Sequence, residues 1–157
     1  MKIIAISDTH GNIDAAERVI RRVQPDTVIH LGDCVSDAER LMALFPGIPF
    51  ECVPGNNDYT SHLPFAKTVP AEGAIIYITH GHKFSVKLGT SALLRAAATV
   101  KADIALYGHT HTPSLRQVDG IWLMCPGTAK HEQPRKNNTC GMIEIIGGKI
   151  QCKIMEI

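Results

Sequence analysis

Apolar runs that stop abruptly at polar clusters, with helix-like segments between them, constrain this chain more than any other feature. Residues 2–6 are apolar and β-prone and end at Ser7-Asp8-Thr9-His10-Gly11. Ile13, Ala16, Val19, Ile20 and Val23 then recur at helical spacing, with Asn12 placed to cap them and Pro25-Asp26 to end them. Residues 27–31 are a second apolar strand, ending at Gly32-Asp33. Ser36 is placed to cap a helix running to about Leu44, which Pro46-Gly47 closes. Residues 49–53 are a third strand, ending at Pro54-Gly55-Asn56-Asn57-Asp58. Strands that are apolar on both faces and alternate with helices belong in a parallel sheet covered on both sides.

The remainder is less regular. Residues 74–79 form a strand that ends at His80-Gly81-His82, residues 91–100 a helix, and residues 103–107 a strand that ends at Gly108-His109-Thr110-His111. The tail reads as four strands, over 114–118, 121–125, 140–146 and 149–157, and as antiparallel. Asp119-Gly120 and Gly147-Gly148 read as two-residue hairpin turns. Neither an internal repeat nor a linker divides the 157 residues, so a single domain over 1–157 is expected.

Composition excludes several classes. Hydrophobic residues make up 45% and charged residues 20%, which suits neither a disordered nor a membrane-embedded chain. Sixteen Lys and Arg against fifteen Asp and Glu give a formal charge of +1, which supplies no field for wrapping a nucleic-acid backbone. The cysteines, Cys34, Cys52, Cys125, Cys140 and Cys152, are odd in number and form no Cys-x-x-Cys pair, so they read as reduced thiols. The opening apolar run is too short for a signal peptide, and no stretch reaches the roughly 18 residues of a membrane helix. A cytoplasmic location is the expectation, with no membrane partner. A homo-oligomer stays open.

Ligands of open α/β sheets bind beyond the carboxyl ends of the strands. Here those ends carry Asp8, His10, Asp33, Asn56, His80, His109 and His111. Seven oxygen and nitrogen donors are too many for one tetrahedral ion and suit two ions completed by water. Imidazole with carboxylate selects transition metals such as Mn, Fe, Ni or Zn over Mg or Ca; Mn is the expected ion, with Ni, Fe and Zn as the alternatives. Two ions clamping a phosphate need a bridging carboxylate, which one of the aspartates must supply.

The ordered set Asp8-Thr9-His10, Gly32-Asp33, Gly55-Asn56-Asn57-Asp58, His80-Gly81-His82 and Gly108-His109-Thr110-His111 resembles the motifs of the calcineurin-like metallophosphoesterases. Cys125-Pro126-Gly127-Thr128 resembles a further segment of that family. The short length resembles its small prokaryotic YfcE-type phosphodiesterase branch. The resemblance implies an α/β fold of four αββα layers, two mixed β-sheets flanked by helices. It implies Asp8, His10 and His111 on one metal, Asn56, His80 and His109 on the other, and Asp33 between them. It also implies that a bridging hydroxide attacks a small phosphodiester in line. Phosphomonoesters and nucleic acid rank lower as substrates. A scaffold subunit of the retromer also resembles this fold, but with degraded ligand positions, whereas all seven are intact here.

One position departs from the pattern. Many relatives carry His after the ligand Asn, as a proton donor to the leaving group. Here it is Asn57, which cannot be an acid but can hydrogen-bond a phosphate oxygen. His82 is then the candidate acid. His30 reads as a hydrogen-bonded core residue, Cys34 as a buried inert thiol, Asp58 as a turn or supporting group, and His62 and His131 as surface residues. Arg135 and Lys136 are candidate contacts to an anionic substrate. Residues 59–70 and 128–138 are expected to be loops that wall the pocket.

Overall fold

The computed structural model describes residues 1–130 and 138–157, so His131, Arg135 and Lys136 lie outside the described residues. β1 (Lys2–Ile6), β2 (Thr27–His30) and β3 (Phe50–Cys52) run parallel, joined by α1 (Asp14–Val23) and α2 (Val35–Leu44). β1 and β2 are buried almost throughout because both faces are covered. Ile4, Ile6 and Val28 pack on Ala16, Val19 and Ile20 of α1 and Leu41 of α2. Ile3, Ala5 and Ile29 face the opposite way.

β4 (Ala66–Ala71) pairs antiparallel with β5 (Ala74–Thr79), α3 (Ser91–Thr99) follows, and β6 (Ile104–Leu106) lies parallel to β5. β7 (Ser114–Val118) and β8 (Ile121–Cys125) form a hairpin, as do β9 (Thr139–Ile146) and β10 (Lys149–Glu156). Both hairpin turns are where the sequence places them. Asp119, Gly120, Gly147 and Gly148 all have positive φ, as a two-residue turn of that hand requires. One sheet has the order β10-β9-β1-β2-β3 and the other β4-β5-β6-β8-β7. Ile76, Ile78, Ile104 and Leu106 of the second sheet pack on Ile3, Ala5 and Ile29 of the first. α3 covers the outer face of the second sheet through Leu93 and Ala97 against Ala105 and Leu123. Two mixed sheets between helices make the four-layer αββα sandwich.

The structure corrects the sequence reading in five places. The tail is not simply antiparallel: β8 pairs parallel with β6, while β9 returns to the other sheet beside β1. Residues 59–70 are not all loop, since β4 begins at Ala66. Pro70 disguises that strand, and an edge position tolerates it because only one side of an edge strand is paired. Ser36 does not cap α2. The helix starts at Val35 after Cys34 in a left-handed conformation, and the backbone N–H groups of Cys34 and Val35 both donate to Asp58 Oδ1, at 3.1 and 2.8 Å. Cys34 is half-buried rather than buried. Asn12 supports α1 from one position earlier than a cap, accepting from the Asp14 N–H at 3.0 Å.

Candidate metal centre

Parallel strands send their carboxyl ends to one edge, and the two sheets bring two such edges together. Asp8 and His10 follow β1, Asp33 follows β2, Asn56 follows β3, His80 and His82 follow β5, and His109 and His111 follow β6. Backbone bonds fasten these turns to each other: Asp8 N–H to Gly32 O and Gly108 N–H to His80 O, both at 3.0 Å. Asp8, His10, Asp33, Cys34, His109 and His111 all have positive φ, between 46° and 84°. Each such conformation costs a non-glycine residue roughly 1–2 kcal/mol. Their concentration at one edge marks a place where the surrounding structure holds strain for a purpose.

Ligand atoms of Asp8, His10, Asp33 and His111 all lie within 4.8 Å of one another. Asp8 Oδ2 accepts from Ser7 Oγ and from the His109 N–H at 3.2 Å. Its Oδ1 lies 3.1 Å from His111 Nε2 and 3.9 Å from His10 Nε2. The two oxygens of Asp33 face different histidines: Oδ2 is 3.7 Å from His10 Nε2, and Oδ1 is 3.6 Å from His80 Nε2. His80 Nδ1 sits 2.7 Å from the Leu31 carbonyl, which holds the ring proton on that nitrogen. In the neutral ring Nε2 then presents its lone pair toward Asp33 Oδ1 and toward Asn56 Oδ1, 3.2 Å away. The His109 ring packs 5.1 Å from that of His80, centroid to centroid.

This donor set fits metal ions. His10 Nε2 is buried with no hydrogen-bond partner among the described residues, although it lies among carboxylate oxygens. A lone pair of His80 likewise faces oxygen lone pairs, an arrangement that a cation between them makes favourable. Burial, with His80 and Lys87 nearby, holds His109 at about 4, so at neutral pH it presents a neutral, ligand-competent imidazole. For Asp8, burial works to raise the pKa, but His111, His80 and Ser7 outweigh it and the carboxyl stays below its ordinary value.

All seven expected donors are thus brought to one edge. Asn57 and His82 reach it differently. Asn57 donates its backbone N–H to Asp33 Oδ1 at 3.0 Å and its side-chain Nδ2 to Asp33 Oδ2 at 2.9 Å, so it grips the carboxylate from outside. The His82 ring lies 5.5 Å from that of His80 and 6.2 Å from that of His109, with Nδ1 buried and, among the described residues, without a hydrogen-bond partner. Burial first, then His80 and Lys83, push its pKa down.

Supporting residues were partly hidden from the sequence. Asp58 does support the site: its Oδ2 also accepts from the Gly55 N–H at 2.7 Å, tying the third turn to the start of α2. Asp37 does not stand out in the motif pattern, yet it is buried and accepts from the Gly11 N–H at 2.7 Å, with Arg40 Nη1 on its other oxygen at 3.1 Å. It steadies the turn that carries His10. Helical position alone could have flagged it, because it shares the inward face with Leu41.

His30 is a core residue, as expected. Its Nδ1 accepts from the Gly32 N–H at 3.2 Å and its Nε2 lies 3.3 Å from Thr9 Oγ1. Burial holds it at about 4, against an ordinary 6.5. Between those values the unfolded chain binds a proton that the folded chain refuses, so stability rises with pH across the window. The contribution is complete above about pH 6.5 and lost as pH falls toward 4, on the order of 3 kcal/mol. Urea unfolding at a series of pH values should show this slope, and His30→Gln should lessen it, His109 supplying a remainder. An unchanged slope in the variant would place the titration elsewhere.

The fold places a cluster able to hold a metal ion at the edge where phosphoesterases of this kind carry theirs. The chain matches the calcineurin-like phosphoesterase superfamily domain over residues 1–148 and belongs to that family. It is 32% identical to a phosphodiesterase of Methanocaldococcus jannaschii over 81% of this chain and 83% of that protein. It is 26% identical to the Escherichia coli phosphodiesterase YfcE over 92% and 88%. Among solved structures, a predicted phosphoesterase of Streptococcus pneumoniae superposes with a TM-score of 0.80 at 28% identity, over 99% of this chain and 88% of the other. Among the described residues, no helix is long and apolar enough to cross a membrane.

Proposed function

We propose that the chain is a cytoplasmic phosphodiesterase that uses two divalent transition-metal ions, Mn first, to cleave a small phosphodiester. The observation that carries this reading is Asp33, whose two carboxylate oxygens face His10 on one side and His80 on the other. Asp8, His10 and His111 complete one cation site, and Asn56, His80 and His109 the other. When bound, such a pair polarises a phosphoryl oxygen and supplies hydroxide at neutral pH.

The chain's own residues provide the rest. Asp33, gripped by Asn57, stays fixed while charge shifts during reaction. Asn57 cannot give a proton to the leaving oxygen, and its amide is engaged with Asp33. His82 is the remaining candidate acid, and burial, with His80 and Lys83 nearby, disfavours its protonated form. A site short of acid favours leaving groups that depart without a proton. His82→Ala should therefore cost more on an alkyl leaving group than on p-nitrophenol. Equal losses on both would exclude His82 as the acid.

The direct test uses chelator-stripped protein with Mn, Ni, Zn or Mg added back singly. Turnover of bis-p-nitrophenyl phosphate ahead of p-nitrophenyl phosphate is expected. Preference for the monoester would replace this reading with a phosphomonoesterase. Metal binding without turnover of either would favour a scaffold.

A further inference from the structure

A cleft of about 750 Å³ lies beside the candidate metal centre, lined by Asn57 and Asp58 from the turn after β3 and by residues of α2 and β3. This lies within the ordinary range of small-molecule sites, roughly 300–1,000 Å³. Its apolar wall is Val35, Met42, Phe50 and Leu63, and hydroxyls of Ser36 and Thr60 stand among them. Its charge is not concentrated as in a phosphate site. Lys67 is bound to Glu51 Oε2 at 2.6 Å, Asp58 is committed to backbone N–H groups, Glu39 adds a negative charge, and the exposed His62 is the other basic side chain of the lining.

A phosphate or carboxylate entering this cleft would meet Glu39 and a cation already neutralised. An uncharged group with an apolar face and hydroxyls would meet matching walls. We infer that this cleft seats one ester substituent of the phosphodiester, an uncharged group of nucleoside size and polarity. The inference rests on the phosphodiesterase reading, because Asn57 joins the cleft to Asp33.

Two measurements test it independently. Adenosine is titrated into the metal-free protein and followed by amide chemical shifts. Saturable shifts centred on Val35, Ser36 and Thr60 are expected, and their absence would overturn the inference. The second measurement compares thymidine 5′-(p-nitrophenyl phosphate) with methyl p-nitrophenyl phosphate, which share a leaving group. The nucleoside ester should have a kcat/KM about tenfold higher or more. Ser36→Trp, an exposed first-turn position that tolerates a large side chain, should bring the ratio toward unity, and Thr60→Trp should do the same from the facing loop. Turnover of both esters at equal kcat/KM would overturn the cleft assignment while leaving the phosphodiesterase reading intact. Saturable adenosine binding without turnover of either ester would support the cleft and overturn the phosphodiesterase reading.

Discussion

Asp33→Asn is expected to abolish diester hydrolysis while leaving the fold in place. The substitution keeps the shape of the side chain and one oxygen, so the Asn57 N–H retains an acceptor. It removes the negative charge that lies 3.7 Å from His10 Nε2 and 3.6 Å from His80 Nε2. It also sets an amide where Asn57 Nδ2 now donates, at 2.9 Å. The loss of one hydrogen bond costs stability about 1 kcal/mol. The catalytic cost is far larger. Weakening both cation sites together forfeits several kcal/mol of transition-state stabilisation, on the order of 10³-fold or more in kcat/KM. The measurement is kcat/KM on bis-p-nitrophenyl phosphate beside a thermal melt. A variant that melts normally yet keeps a tenth or more of the activity would remove Asp33 from the centre of the mechanism.

Gly55→Ala is expected to damage the site through packing alone. A Cβ at Gly55 would overlap Asp33 Oδ1 and the Asp33 backbone nitrogen. The backbone there cannot yield easily, because the Gly55 N–H is bonded to Asp58 and its neighbour Asn56 faces His80. Overpacking of this kind costs about 1–3 kcal/mol. Displacing Asp33 by about 1 Å costs roughly 10²-fold in rate. Gly47→Ala is the control, since an added Cβ there meets nothing within 4 Å and φ is ordinary. The contrast should appear in both the melt and the assay. Equal behaviour of the two variants would mean that the close approach of Gly55 to Asp33 is not needed.

What the sequence made legible follows from how local each determinant is. β1 and β2 are short apolar runs flanked by polar turns, so their strand character and the placing of Asp8, His10 and Asp33 just after them could be read directly. The hairpin turns were equally plain, because Asp-Gly and Gly-Gly announce their backbone conformation. Pairing partners were not legible. The parallel pairing of β8 with β6 joins residues near 104 and 122 through contacts that neither segment advertises. β4 was masked by Pro70, whose missing donor matters little at a sheet edge.

The candidate site divides in the same way. Donors on consecutive strand ends were visible as a pattern. The residues that hold them act across the chain: Asp58 on the start of α2, Asp37 on the turn after β1, and His80 on the Leu31 carbonyl. Asn57 shows how far composition can carry a role. Its chemistry ruled out acid catalysis, but only coordinates show it holding both oxygens of Asp33.

The most direct test of the shared carboxylate is metal stoichiometry. Chelator-stripped protein is titrated with Mn by calorimetry, and bound metal is counted after gel filtration. Two equivalents per chain are expected for the unmodified protein, with both sites weakened together in Asp33→Asn. One equivalent, or an Asp33→Asn variant that binds two as tightly as the unmodified chain, would contradict a paired centre built on Asp33.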